Sequence, residues 1–591
     1  INFSTDHQEK FLIPDDRFFM EEPMGESFFP SPVVGYSQVT VKQVFPEDVK
    51  RHATGISVHE FYTAFDYPVR VTETSIDPQR RQSPLVFRLA KINKKDYVTA
   101  SQGYAVHIND MHGKPKANWV YAEGQSTPIS GVKYLYKTSA ENNKKLDNRV
   151  TVLYPDGTSK ESIVGVDVDL VMDMRRQDTE SASLGLNVNL ESFLVLFPGL
   201  VPLVFPSFSS ESTSFKSSVG TKVVNSYGIL DKVEAYDLKS KLTTENLAYD
   251  SETGEVLLTS VHNGYDDPVY TFNYPAHWAY DGMGQAYKNI QFTAALQLSD
   301  QGTADLPRSI SEKIVEGDEI ISSQERFKYW VTKKVGDVIT VMGGNPLTGA
   351  VTLLKGNHIV KVIRSGRRNL HSTSVGTLVS LNNPLQKIAS LSLSERILQA
   401  ESREFSDSWN EECDCEFKGQ NSGSLKNLYF EAARGIWRLK KTHTYLTLRD
   451  ELSVNGTRKD GPFKKFSSFW QKTAAGTWDK NETGWTWVNE VTSYDRHNSL
   501  EVENKDRLGR YSGALSGFNA TLATAIAPNT KKTESLFDHF EDYDRLNCTN
   551  LEKAFHKQSV LKNLDKLKSH SGRTSIKVLP NDNTVKMQVG D

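Results

Sequence analysis

The chain has 591 residues, of which 38% are hydrophobic, 24% charged and 10% aromatic, and its 70 Lys and Arg nearly balance 73 Asp and Glu for a net charge of −3. That length exceeds one ordinary core and predicts about three or four domains, unless a long β-structure runs through them. Near-neutral charge without a long basic run excludes the electrostatic footprint of a nucleic-acid binder, and three cysteines cannot build a disulfide framework.

The aromatic content favours strands over helices. The chain opens Ile1-Asn2-Phe3 with no initiator Met and no signal-like segment, so it reads as a processed or excised piece of a larger protein. Residues 33–44 (VVGYSQVTVKQV), 56–62 (ISVHEFY) and 69–74 alternate as strands. Residues 149–168 form a hairpin around Pro155-Asp156-Gly157, and its alternation continues over residues 167–174.

The longest apolar run, FLVLFPGLVPLVF, extends from Phe193 to Phe205. Its 13 residues would reach about 20 Å as a helix against roughly 30 Å of bilayer core, so no transmembrane helix is expected. The expectation is a buried loop pinned by Pro198 and Pro202 between two strands; the sharper alternatives are a membrane-inserting hairpin or a plug inside a shell. Residues 222–234 and 242–259 resume the strands, with Tyr249-Asp250-Ser251-Glu252-Thr253-Gly254 as a turn.

Residues 319–366 read as a compact β-module. Turns at Gly336-Asp337, Gly343-Gly344-Asn345-Pro346 and Lys355-Gly356-Asn357 recur at a spacing that suits a small barrel or sandwich. Residues 385–401 fit helix and strand equally. Residues 551–567, with Asn550 as N-cap and Leu551, Phe555, Leu564 and Leu567 near helical spacing, read as the one convincing helix.

Sites are sparse. Cys413 and Cys415 flank Asp414 and would share a strand face, which allows a metal clip or a strained bridge. No second pair of zinc spacing accompanies them, so they read as ordinary thiols. His107 and His112 are five apart, wrong for a helical metal pair. His277, beside Trp278, reads as a packed core residue, and a pair such as Asp266-Asp267 is expected by chance among so many carboxylates. No nucleophile motif, P-loop or dinucleotide fingerprint appears in context.

The run from Val491 to Tyr511, VTSYDRHNSLEVENKDRLGRY, reads as strand, turn, strand and turn, with Asn498 and Gly509 suited to left-handed backbone. It resembles one copy of the tyrosine-aspartate repeat of Rhs proteins, Asn498 standing where that family has glycine. HATGISVHEFYTAFDYPV from His52, TKVVNSYGILDKVEAYD from Thr221, the stretch from Tyr249 to Gly284, and ENKDRLGRYSGALSGFN from Glu503 look like segments of very large Rhs-like extracellular proteins of Bacteroidetes-type bacteria. The resemblance implies export, in many such proteins by the type IX pathway, and a β-shell or surface scaffold; it supplies no catalytic residue. The chain departs from the pattern in having few, irregular tyrosine-aspartate turns and no sorting domain at its end. Phe540-Glu541-Asp542-Tyr543 with HSGRTSIKV from His570 resembles the opening of carbohydrate-binding jelly rolls. That would make Glu541, Asp542 and Asp544 calcium ligands, against the plainer reading of a solvated acidic turn.

The expected fold is mainly β and multidomain, with short-looped sandwich or barrel modules, Rhs-like sheet segments and few helices. The expected divisions are 1–140, 141–315 with the tyrosine-aspartate turn and the apolar loop, 316–380, 381–535 with the repeat unit, and 536–591. The expected function is a non-catalytic secreted or cell-surface scaffold or adhesin, without cofactors unless calcium binds, whose partners are protein subunits or surface glycans. An Rhs-like shell around a toxin or other cargo and a polysaccharide-active enzyme are the alternatives.

Overall fold

The computed structural model describes residues 16–17, 34–42, 55–75, 77–80, 90–193, 199–324, 327–344, 351–370, 373–386, 397–409, 434–446, 466–473, 478–495, 499–518, 521–535, 537, 540–541, 563–569, 572–578 and 580. Strands dominate throughout, and among the described residues α-helix is confined to Ala276–Ala279 and Arg308–Ser311. The chain divides into two compact units, residues 1–150 with 161–245, and residues 151–160 with 246–591.

The first unit holds two sheets. In one, Val166–Phe193 and Gly199–Ser226 pair antiparallel along their whole length, from Val166 opposite Ser226 to Phe193 opposite Gly199. Ala90–Asn109 adds parallel to the second of these strands, and Arg70–Glu73 lies beyond it. The expected apolar loop is therefore corrected. Phe193 ends one 28-residue strand and residues 199–205 begin another, because strand pairing satisfies the backbone that a buried loop would leave unpaired. Residues 194–198 lie outside the described residues.

The other sheet runs Gln38–Lys42, Ile56–Phe61, Pro115–Tyr121, Pro128–Tyr136, Leu230–Asp237 and residues 240–245 of the strand Ser240–Asp250, each antiparallel to the next. A small core of Tyr62, Tyr67 and Met111 packs in this unit, with Tyr62 edge-on to Tyr67 and Tyr136 at 5.4 and 5.5 Å between ring centres.

In the second unit an antiparallel series begins with Val256–His262 and Val269–Pro275 and continues through Ser374–Ser380, Ile397–Ser406, Arg438–Tyr445, Trp485–Tyr494, Glu501–Asp506, Tyr511–Gly517 and Leu522–Pro528. Val269–Pro275 pairs directly with Ser374–Ser380, so the intervening chain is an excursion from one strand edge. That excursion folds as a seven-stranded sheet ordered Thr293–Leu298, Gly356–Arg364, Glu319–Ser322, Lys328–Val335, Val338–Gly344 and Thr303–Asp305, with Val351–Leu353 on Val338–Gly344. Period two governs its packing: Ala294, Leu296 and Leu298 point inward with Ile320, Tyr329, Val331, Ile339 and Val341. The expected turns at Gly336 and Gly356 hold, both glycines at positive φ.

Two further expectations are settled here. Residues 385–401 resolve to a single 3-10 turn at Pro384–Gln386 and the strand Ile397–Ser406, with 387–396 outside the described residues. The expected helix over 551–567 is corrected at its end, where Leu564–Asp565 is a strand paired with Ser575–Ile576; Asn550 and residues 551–562 lie outside the described residues. Leu564, which fits a helical stripe, also fits a short strand once a partner is present.

Candidate functional site

The residues that gather chemistry in this fold sit at turns. Ser240–Asp250 ends on Tyr249-Asp250, and the chain reverses through residues 251–254. The Asp250 N–H donates to the Glu255 carbonyl at 2.8 Å and the Gly254 N–H returns to the Asp250 carbonyl at 3.0 Å. Gly254 takes φ +71°, which a residue without Cβ adopts freely.

The Asp250 carboxylate is then consumed. Oδ2 accepts from the Thr253 N–H at 2.8 Å, the Thr253 hydroxyl at 2.9 Å and the Glu252 N–H at 3.2 Å. Oδ1 accepts from the Trp278 indole at 2.9 Å. His277 Nε2 lies 3.2 Å from Asp250 Oδ2 and 3.6 Å from Glu252 Oε2, with the His277 and Asp250 side chains only 1% and 0% exposed. Lys288 pairs with Glu252 at 2.6 Å, and the Tyr287 hydroxyl donates to the Glu252 carbonyl at 3.1 Å. Burial pushes the Asp250 carboxyl up, but the adjacent His277 ring and the hydrogen bonds from Thr253 outweigh it and hold the group below the usual carboxylate range.

The turn after Tyr494-Asp495 repeats this backbone pattern. Asp495 N–H donates to the Leu500 carbonyl at 2.8 Å and Ser499 N–H to the Asp495 carbonyl at 3.0 Å. Ser499 therefore occupies the place of Gly254, at φ +61°. Asn498 lies outside the described residues. The Asp495 carboxylate accepts from the Ser516 hydroxyl at 2.9 Å. Tyr494 donates to the Leu439 carbonyl at 2.6 Å beneath the Arg438 guanidinium, which itself donates to Ser499 Oγ at 3.0 Å. The simple alternation expected over residues 491–495 is broken by register shifts between Val491 and Ser493 and between Ser493 and Tyr494. The next turn closes as expected: Asp506 N–H donates to Arg510 O at 2.9 Å, Gly509 N–H to Asp506 O at 3.0 Å, and Gly509 takes φ +80°. Tyr154 to Thr158 closes the same way, with Gly157 at φ +83°.

Two more buried carboxylates lie in the second unit, and sequence reasoning missed both. Glu404 receives His443 Nε2 at 2.7 Å on Oε1 and the Lys480 ammonium on Oε2. Burial opposes its ionisation, yet these two partners bring its pKa down to about 2. The His443 ring packs against Phe469 at 4.4 Å between ring centres, tilted by 38°. Asp318 accepts from the Gly366 N–H at 2.7 Å on Oδ1, and from Asn289 Nδ2 at 2.7 Å and the Val315 N–H at 2.8 Å on Oδ2. Burial dominates here and raises its pKa to about 6.

The residues singled out from sequence fall apart spatially. His107 lies in a strand opposite Val224 and Arg70, whereas His112 Nδ1 accepts from the Ala64 N–H at 3.2 Å. Asp266 is tied to Asn263 at 2.9 Å in an exposed turn that also contains Asp267. Glu541 Oε1 accepts from the N–H groups of Arg573 and Thr574 at 2.7 and 3.0 Å, clamping that loop. Asp542, Asp544, Cys413 and Cys415 lie outside the described residues. Among the described residues of that set only His277 is brought into a cluster of ionisable groups, and neither that cluster nor the one at Glu404 pairs a nucleophile with a base. Both hold chain segments together.

No protein-family model matches the chain, and no curated protein does. Among solved structures the chain is similar to TcdB2-TccC3 without its hypervariable C-terminal region and to TcdB2-TccC3, in each case at 8% identity and a TM-score of 0.23. These matches cover 83% of this chain but only 19% and 20% of the other chains, so it spans about a fifth of their length.

Proposed function

We propose that this chain is a non-catalytic structural scaffold of Rhs-like type, secreted or displayed at the cell surface, that works through its surfaces on protein subunits or glycans. The observation that supports this reading is the shared geometry of the Asp250 and Asp495 turns. In both, a tyrosine-aspartate pair closes a strand end, the aspartate backbone closes both ends of a four-residue loop, and the carboxylate accepts a hydrogen bond from another segment, Trp278 for Asp250 and Ser516 for Asp495. A catalytic carboxylate needs a path for substrate to the reacting atom; the Asp250 side chain is 0% exposed and serves as a rivet.

The test pairs imaging with assay. Electron microscopy of the full chain should show a rod, filament or open assembly, and a polysaccharide panel should show no turnover. A closed hollow shell would favour the cargo carrier instead. Polysaccharide cleavage abolished by one carboxylate substitution that leaves the fold intact would replace the scaffold with an enzyme.

A further inference from the structure

The first unit holds a cleft whose chemistry the turn rivets do not use. It opens where the strand Ile56–Phe61 ends and the chain bends through residues 63–66, and residues of 34–38 together with His112 and Lys116 complete its lining. Its volume is about 710 Å³, inside the range of roughly 300–1,000 Å³ that small-ligand sites occupy. Such sites are usually lined by apolar groups. Gln38, Glu60, Asp66, His112 and Lys116 line this one, which calls for a ligand rich in polar groups.

Two of the five are already committed to one another. Asp66 Oδ2 accepts from the Thr63 N–H at 2.9 Å and from the Thr63 hydroxyl at 3.0 Å, while Lys116 reaches Asp66 Oδ1 at 3.3 Å. These contacts tighten the 63–66 turn, and its Phe65 ring stands 82% exposed at the cleft. The Lys144 ammonium lies 4.4 Å from the ring centre and steadies it. The other three keep hydrogen-bonding capacity. Among the described residues no hydrogen bond or ion pair engages the Glu60 carboxylate. Gln38 stands directly opposite Glu60 in the strand register, so the two side chains share one face. His112 Nδ1 accepts from the Ala64 N–H at 3.2 Å, and in the neutral ring the hydrogen then sits on Nε2. Gly35 keeps the space before that nitrogen open, since a Cβ there would lie 2.5 Å from Nε2.

Acceptors at Glu60 and Gln38 and a donor at His112 suit neighbouring hydroxyl groups, each of which both gives and takes hydrogen bonds. An exposed aromatic face attracts the weakly positive C–H groups on one side of a sugar ring. Charge narrows the class: Lys116 is balanced by Asp66, so Glu60 leaves the cleft negative and disfavours uronates, sulfates and phosphates. We propose that this cleft binds a neutral oligosaccharide, with Glu60, Gln38 and His112 holding hydroxyls and Phe65 stacking on a sugar face. The assignment rests on the reading of a chain that acts through its surfaces, and sugar binding is measured separately from assembly.

The experiment applies the fluorescently labelled full chain to a printed array of neutral gluco-, manno- and galacto-oligosaccharides beside uronate-bearing and sulfated glycans. Neutral glycans should give the strongest signals, and titration of the brightest supplies a dissociation constant. Glu60→Ala should raise that constant by about tenfold or more through the lost charged hydrogen bond, and Phe65→Ala by about fivefold. Tyr265→Ala removes a ring that is 95% exposed elsewhere and should stay within about twofold of wild type. Neither Glu60 nor Phe65 is buried, and unchanged circular dichroism would confirm that the variants fold. Absence of neutral-glycan binding, stronger binding to the acidic glycans, or wild-type affinity in both Glu60→Ala and Phe65→Ala would overturn the proposal. A rod or filament that binds no sugar would remove the cleft and keep the scaffold, whereas a closed shell that binds sugar would do the reverse.

Discussion

His277 Nε2 sits 3.2 Å from Asp250 Oδ2 with both side chains sealed from water. The aspartate that closes the first tyrosine-aspartate turn is thereby tied to the second residue after the sheet strand Val269–Pro275, where the chain departs toward the seven-stranded sheet. Removing one partner of such a pair leaves the other buried and uncompensated. His277→Ala is expected to destabilise the second unit by about 2–4 kcal/mol, read as a lower urea midpoint. Asp250→Asn should cost a similar amount, and the double variant should cost less than the sum. Full additivity would show that the two residues do not interact.

Asp250 and Asp318 give opposite pH dependences. The Asp250 carboxyl is held below its ordinary value, so its contribution is present above about pH 4, the unfolded pKa, and is lost as pH falls through the lower folded value. Asp318, raised to about 6, binds its proton more tightly when folded. Its contribution is full below about pH 4 and declines by on the order of 3 kcal/mol as pH rises through the folded value. Urea titrations at several pH values should show that Asp318→Asn removes a decline between about pH 4 and 6, and the carboxyl carbon of Asp318 should titrate near the upper end of that window.

Two glycines separate crowding from backbone strain. A Cβ at Gly366 would lie 2.0 Å from the Glu316 carbonyl oxygen, and its N–H serves Asp318. Gly366→Ala should therefore cost about 3 kcal/mol or more, since rigid backbone must move. Gly509 has nothing within 4 Å of a built Cβ but holds φ +80°. Gly509→Val should cost about 1–2 kcal/mol through conformation alone, and Gly509→Asn appreciably less. Thermal denaturation distinguishes these outcomes.

Glu404 carries the other buried network. Glu404→Gln removes the charge facing both His443 and Lys480 and should cost about 2–4 kcal/mol at neutral pH. Lys480→Met should cost less, because the Lys480 side chain is 42% exposed while the His443 contact remains.

Local structure was legible where a residue type answers a backbone need. Gly509, Gly157, Gly254 and Gly336 mark reversals because each takes positive φ, and the strand expected over residues 56–62 forms as Ile56–Phe61. The long hairpin was hidden because Pro198, Pro202 and a continuous apolar run mimic a loop when only near neighbours are considered. Ser499 was hidden because serine carries little left-handed preference of its own, and here its hydroxyl is held by Arg438. The charged clusters were illegible for a different reason. Asp250 and His277, or Glu404 and Lys480, are far apart along the chain, and strand order alone brings them together.

The parallel pairing of Ala90–Asn109 with Gly199–Ser226 also constrains the order of assembly. Ala90 meets Phe208, 118 positions later in the chain, whereas Phe193 and Gly199 face each other across five residues. Closing the long loop costs more entropy and must await synthesis of the second strand, so the antiparallel pair forms first and the parallel strand docks onto its flank. Until it docks, that flank presents open backbone donors and acceptors to other chains. In refolding, hydrogen-exchange protection should appear across residues 166–174 and 218–226 before it appears at residues 103–109, and aggregation should be greatest in the interval between the two.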